Sequence, residues 1–310
     1  MSGRSVSSGF RAWLQAARPL AQFNIAPPML FGQALALATT GRFELGLLLW
    51  IQLYGLLDQL LIVFTNDWAD HATDRTNTTF NRFSGGSRVL VENKLGRHQL
   101  AFAARLVLAF VILLALYLAF ARQRPLTLWL TLAGVSLIWA YDLRPLRLSY
   151  RGGGEVLQAL GVGVLLPVLG YYLQSATLAG LPWWVLGSTF LLGYAGNITT
   201  ALPDFPSDRN SGKRTYPVRN GQRAGRVVSL VLLALAALVP GLGLAGEHPR
   251  LRYLACAAPL ACVALNLSAV SSADARDRAR CTRFVTLNSA AAVLQWLLWS
   301  LALGMGSDWN

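Results

Sequence analysis

Apolar runs of roughly 18 or more residues recur along the whole chain, each long enough to cross the hydrocarbon core of a bilayer. In lipid a backbone must satisfy its own N–H and C=O groups, and uninterrupted runs of this length suit helices rather than the alternating strands of a barrel. Composition agrees: of 310 residues, 54% are hydrophobic and 13% charged, about half the charged share of a soluble domain. The chain is therefore expected to be all-α, a polytopic membrane protein with about nine transmembrane helices bundled around a central cavity. The spans fall at about 20–40, 45–65, 100–120, 126–143, 155–175, 182–202, 227–246, 251–271 and 284–304. A basic, polar leader precedes the first span with no convincing small-residue cleavage site. That span is expected to be retained, not removed as a signal.

A net charge of +13 raises the question of nucleic acid. Such binding needs a soluble basic face, and here the cations sit in short loops between apolar runs, so no nucleic acid partner is expected. Of the 27 Lys and Arg residues, only Arg42, Arg122, Arg124, Arg250 and Arg252 fall in odd-numbered loops. The rest lie in the N-terminus and the even-numbered loops, counting Arg105 just inside the third span. By the positive-inside rule the N-terminus is cytoplasmic and the C-terminus outside, as expected of an integral protein among the lipids of a bacterial inner membrane. Cys256, Cys262 and Cys281 show no metal-ligand spacing and read as packing residues.

Two even loops, about 66–99 and 203–226, are long, and each opens acidic and continues basic. They lie four spans apart, which suggests a parallel four-helix repeat, about 20–143 and 155–271, plus a ninth helix, all within one domain over 1–310. The first loop opens with "TNDWADHATDRT" from Thr65. On a helix, Asn66, Asp70 and Asp74 form one stripe, with Asp67 beside it. A carboxylate at the bilayer centre costs about 2.5–3.5 kcal/mol. Placement at a helix end lowers that cost and lets the stripe face a polar mouth.

The second loop reads "LPDFPSDRNSGKRTYPVRNG" from Leu202. Asp204 and Asp208 repeat the i, i+4 spacing, and Lys213, Arg214 and Arg219 follow. Hard oxygen ligands suit Mg²⁺, which is usually held by one or two carboxylates plus substrate phosphates. The cations suit the remaining phosphate oxygens. A lone aspartate at a helix end is ordinarily a solvated terminus. Two stripes on one side, each trailed by cations, favour a site for a diphosphate on a lipid-soluble tail. "GGS" at Gly85–Ser87 reads equally as a plain turn or as a phosphate cradle.

"NDWADHATD" resembles the NDxxDxxxD motif of the UbiA-type intramembrane prenyltransferases, and "DFPSD" resembles their second DxxxD motif. The resemblance covers nearly the whole chain, from "RP" at Arg18–Pro19 through both motifs. "PLRLSYRGGGE" (Pro145–Glu155) is similar to a P-x-x-L-x-Y-x-G-x-G-E signature of the 1,4-dihydroxy-2-naphthoate polyprenyltransferases of menaquinone biosynthesis. "GKRTYPVRNG" (Gly212–Gly221) resembles that branch's GKRTLAVRLG. The chain departs from the pattern at "TTALP" (Thr199–Pro203), at Pro206 inside DxxxD, at Pro217, and at Thr73 before Asp74.

The resemblance implies Mg²⁺-dependent transfer of a polyprenyl group from an allylic polyprenyl diphosphate to an aromatic acid. The acceptor expected first is 1,4-dihydroxy-2-naphthoate, with 4-hydroxybenzoate as the alternative. It implies Mg²⁺ at Asp67, Asp70, Asp74, Asp204 and Asp208, and a catalytic core of Asp70, Asp74, Asp204, Asp208 and Lys213. Asn66 belongs to the same substrate site. Lys213, Arg214, Arg75 and Arg82 are the candidate contacts to the leaving group. Phe64, Trp139, Tyr141 and Tyr194 could face an allylic cation, or serve as an ordinary interfacial belt. Tyr150 and Arg151 would position the acceptor. A secondary transporter would also carry intramembrane carboxylates and a repeat, but typically near the bilayer midplane. A scaffold gives no reason for two acidic stripes.

Overall fold

The computed structural model describes residues 6–243 and 249–305, and among these the chain builds helices and no strand. Helix α1 (Val6–Ala17) precedes a 3₁₀ turn at Pro19–Asn24. Then come α2 (Ala26–Thr40), α3 (Leu45–Thr76), α4 (Arg97–Phe120), α5 (Thr127–Asp142), the short α6 (Leu148–Arg151) and α7 (Gly154–Leu160). A π-helical turn at Gly161–Leu165 joins α7 to α8 (Leu166–Ser175). After α9 (Val185–Ala201) come the short α10 (Phe205–Asn210) and α11 (Tyr216–Asn220). The long helices α12 (Gln222–Gly243), α13 (Pro249–Leu267) and α14 (Arg278–Gly304) complete the bundle.

Within the described residues every expected span coincides with a helix, positions 244–246 of the seventh lying outside them, but the lengths differ. Among the described residues, six helical segments are long and apolar enough to cross a membrane: α3, α4, the run Gly154–Ser175, α12, α13 and α14. Helices α2, α5 and α9, with 15, 16 and 17 residues, fall short of the roughly 20 that a perpendicular span needs. The first span opens later than expected because Arg18 is left-handed and Pro19–Asn24 winds as a 3₁₀ turn. Helix α3 instead runs well past position 65 to Thr76, so the whole acidic stripe is helical.

Helices α2 and α8 sit at the centre and are buried nearly all round, as expected of helices without a polar face. Glycine lets them touch backbone to backbone. A Cβ on Gly32 would stand 2.0 Å from the Pro167 carbonyl oxygen, and one on Gly170 would stand 2.2 Å from that of Met29. Small residues serve this close approach in helical membrane proteins. Pro167 lacks an N–H for the preceding turn, and the ladder there widens into the π turn, where Gly163 lies against the Thr189 carbonyl of α9. The bundle thereby leaves a cavity of about 860 Å³ walled by α3, α5, α7, α8, α9 and α14.

Gly32→Val should overpack the α2–α8 seam by about 1–3 kcal/mol and lower the unfolding midpoint in detergent. Gly187→Ala, where a Cβ meets nothing within 4 Å, should not lower it. Equal midpoints for Gly32→Val and wild type would mean that the seam parts easily.

Candidate active site

The mouth of the cavity gathers residues far apart in sequence. Asn66, Asp70 and Asp74 of α3 line it, as do Asp204, Asp208 and Lys213 of the second acidic loop. The Lys213 Nζ donates to Asp70 Oδ2 at 3.0 Å, which ties the two stripes together directly. Asn66 Nδ2 donates to Asp70 Oδ2 at 3.3 Å and to Asp142 Oδ1 at 3.0 Å. Arg147 Nη2 stands 3.7 Å from Asp70 Oδ1, an oxygen that is buried and has no hydrogen-bond partner.

The turn at Gly85–Ser87 is the second link between the stripes. The Gly85 N–H donates to Asp204 Oδ2 at 3.1 Å, and Asn77 Nδ2 donates to Asp204 Oδ1 at 2.6 Å. The Ser87 N–H donates to Asp67 Oδ1 at 3.1 Å, and its hydroxyl and Arg18 also bond Asp67. These two N–H groups are thus spent on carboxylates, which removes the phosphate-cradle reading for them. Asp67 is held off the cavity wall by Arg18 and Ser87, so it anchors the turn instead of lining the site as expected. Gly86 lies against Asp74, with φ +69 and a Cβ position 2.2 Å from Asp74 Oδ2.

In the second loop, Thr215 Oγ1 donates to Asp208 Oδ2 at 3.2 Å. Burial pushes the Asp204 and Asp208 carboxyls up, Asp208 to about 7, against the lowering pull of Lys213. Burial alone would lower the Lys213 ammonium, but the facing carboxylates of Asp70 and Asp208 hold it well above the ordinary lysine value. Lys213 therefore carries its charge throughout the physiological range.

Lys213 is positioned by a clamp between the two stretches that carry the branch resemblance. The Arg214 N–H donates to the Tyr150 carbonyl at 2.9 Å. Buried Glu155 accepts from the Tyr216 N–H and from Arg219 Nη2, the latter at 3.2 Å. The Tyr150 hydroxyl bonds Thr73 at 2.5 Å, and its ring lies under the Arg147 guanidinium, 3.5 Å to the centroid. Tyr150 does not line the cavity; it braces α3 behind Asp70.

Several expected site residues lie off the cavity wall. Arg75, Arg151 and Arg214 are exposed and do not line the cavity. Position 75 follows Asp74 by one residue and so sits about 100° round the helix from the stripe. Arg82 does line the cavity, held by Thr286 of α14 at 3.1 Å. Of the four proposed aromatic faces only Tyr141 lines it. Phe64 packs edge-on against Trp13 at 6.0 Å, Trp139 is 42% exposed, and Tyr194 packs on Phe190. Asp142, on the cavity wall beside Asn66, was missed, as were Asn197 and Gln158, which join Tyr141 through bonds of 3.1 and 2.8 Å from Asn197 Nδ2.

The model of the UbiA prenyltransferase family matches residues 25–302, nearly the whole chain. The chain belongs to the UbiA prenyltransferase family. It is an integral membrane enzyme that transfers prenyl groups. It is 27% identical over 232 residues to a lycopene elongase/hydratase of Corynebacterium glutamicum, covering 74% of this chain and 76% of that one. It is 26% identical over 248 residues to a 1,4-dihydroxy-2-naphthoate octaprenyltransferase of Haemophilus influenzae, covering 76% and 78%. A UbiA homologue from Archaeoglobus fulgidus, solved with GPP and Mg²⁺, shares the fold with a TM-score of 0.63 at 16% identity, covering 93% of this chain and 99% of that one.

Among the described residues of this UbiA enzyme, no three His, Cys, Asp or Glu side chains form a ready-made metal cage. Its donors are instead spread over the cavity mouth and partly engaged by Lys213, Asn77 and Thr215. The orphaned Asp70 oxygen and the wall-lining carboxylates of Asp74, Asp204 and Asp208 fit a cation that draws its remaining ligands from substrate phosphate. Gly86→Ala should disrupt this mouth, because the added carbon would collide with Asp74 at a backbone angle that favours glycine. Prenyl transfer is expected to fall by at least about tenfold, roughly 1.4 kcal/mol of barrier, in variant protein that still elutes as a folded peak in detergent. Wild-type turnover in Gly86→Ala would show that the turn yields without moving Asp74.

Proposed function

We propose that this enzyme transfers a polyprenyl group from an allylic polyprenyl diphosphate to an aromatic acid, 1,4-dihydroxy-2-naphthoate first. Its site would face the cytoplasm from a bacterial inner membrane. The observation that carries this reading is one cavity with two ends of opposite character. Carboxylates and Lys213 line its mouth, and Leu137, Ile138, Val162, Leu165 and Leu169 line its depth. That pairing suits a charged head on a long apolar tail.

Asp70, Asp74, Asp204 and Asp208 would hold Mg²⁺ with the substrate diphosphate. When bound, the ion neutralises diphosphate charge and makes it a better leaving group. Lys213, charged and aimed into the mouth, stabilises the negative charge that grows as the C–O bond breaks, its electron pair leaving with the diphosphate. Arg82 reaches the same wall. The Tyr141 face supports the allylic cation, worth about 2 kcal/mol when desolvated. The apolar walls keep water from capturing that cation. A ring carbon of the acceptor then forms the new C–C bond; where that carbon bears hydrogen its proton leaves, and at the carboxyl-bearing carbon of dihydroxynaphthoate the carboxylate leaves as CO₂, which gives the prenylated naphthoquinol.

The naphthoate reading is supported by the two signature stretches and by the Haemophilus relative. A second reading, prenyl transfer to a long isoprenoid acceptor, is supported by the Corynebacterium relative. It is also supported by the position of Arg151, which is exposed outside the cavity rather than waiting for an acid.

Asp70→Ala and Asp208→Ala should each lower turnover by more than about tenfold while leaving the fold intact. Lys213→Ala should act mainly on kcat/KM for the donor; a change confined to the acceptor's KM would reassign it. Product mass spectrometry, with polyprenyl diphosphate and Mg²⁺ supplied to membranes, should decide the acceptor. Offered dihydroxynaphthoate, hydroxybenzoate and lycopene at equal concentration, the enzyme should yield mainly prenylated naphthoquinol. Mainly elongated lycopene would establish the second reading, and uptake without any product would revive a transporter.

A further inference from the structure

The cavity-lining residues of α3 continue the acidic stripe toward the start of the helix, through Ile62 and Asp58 to Tyr54. Asp58 lies about 18 Å from Asp70 along the axis, at 1.5 Å per residue. Asp58 and the neighbouring Gln59 are 9% and 4% exposed, and both line the cavity. Among the described residues neither side chain has a hydrogen-bond partner or an ion-pair partner. The Tyr54 hydroxyl donates to Thr131 Oγ1 at 3.0 Å and keeps lone pairs free to accept. Buried polar side chains are almost always bonded, and an ionisable group at membrane depth that faces a cavity marks a functional site.

We propose that Asp58 and Gln59 form a second polar binding site, which takes a hydroxyl group at the far end of a long isoprenoid chain. A hydroxyl donates to the carboxyl and accepts from the Gln59 amide at once, whereas a plain hydrocarbon end would bury both groups unsatisfied. The depth excludes a small aromatic acid that reacts at the mouth. An extended chain advances roughly 1.2 Å per main-chain bond. A geranylgeranyl tail headed at Asp70 therefore reaches Asp58, and a dimethylallyl tail does not. The inference rests on the prenyl-transfer reading for the direction of the tail.

The test is calorimetric binding of unreactive thiolodiphosphate analogues to the full-length protein in detergent with Mg²⁺. The probes are dimethylallyl, geranylgeranyl and ω-hydroxygeranylgeranyl thiolodiphosphate. Wild type should bind the hydroxylated long analogue about tenfold more tightly than the plain one. Asp58→Leu should erase that preference, Asp58→Asn should keep most of it, and all three should bind the dimethylallyl analogue alike. Gln59→Leu, expected to shrink the preference, serves if Asp58→Leu does not fold. Equal affinity of wild type for both long analogues overturns the inference while dimethylallyl binding keeps the prenyl-transfer reading intact. Failure of every analogue to bind overturns both.

Discussion

The site depends on one ion pair, Lys213 with Asp70, closed between side chains 143 positions apart in sequence. The carboxylates of Asp70, Asp74, Asp204 and Asp208 line one cavity mouth and repel one another. A single ammonium that faces both Asp70 and Asp208 offsets that repulsion from the centre of the group. The pair also sets geometry, because it fixes the second acidic loop against the end of α3. Removing either partner leaves the other charge with a second counter-charge, Asp208 for Lys213 and Arg147 for Asp70, so the loss falls on the geometry of the mouth rather than on the fold. Catalytic electrostatics and loop placement therefore rest on the same contact.

The helical stripe was legible in the sequence because i, i+4 spacing on a helix is a geometric statement. Asn66, Asp70 and Asp74 do share one wall. The same rule, applied more strictly, would have removed Arg75 and Asp67, which sit one residue off the stripe and point elsewhere. It would also have added Asp58 and Tyr54, which extend the stripe upstream at the same spacing. What spacing cannot reach is a partner from another helix. Asp142 meets Asn66, and Asn197 meets Tyr141, only once α5 and α9 are packed. The helix positions were legible from apolar length, but α2 and α9 start later than their apolar runs, after the 3₁₀ turn Pro19–Asn24 and the turn that follows Pro182.

The branch-like stretches show how a resemblance can mark structure instead of substrate contact. Pro145–Glu155 and Gly212–Gly221 meet each other through Glu155, the Tyr216 N–H and the Tyr150 carbonyl. Their shared task is to hold the strand of chain that carries Lys213. A clamp of this kind serves any diphosphate donor, whatever the acceptor. The likeness of these stretches to one branch therefore speaks to how Lys213 is held more strongly than to which ring is alkylated. Residues that touch the interior wall, such as Tyr141 and Gln158, carry more information about the acceptor.

Helix α3 does two jobs with one repeat. Its last turns present carboxylates, and its earlier turns present Ile62, Asp58 and Tyr54 to the same cavity. Sites on a regular helix are held more precisely than sites on loops, so head and depth of the cavity keep a fixed separation. The glycine turn at 85–87 and Arg88, which bonds the Asp74 carbonyl at 3.0 Å, pin the end of the helix so that this separation cannot fray. A substrate is thereby read at two points on one rigid rod. Such a reading discriminates by length and by end chemistry together, because a chain that fits the mouth arrives at Asp58 with its far end already determined.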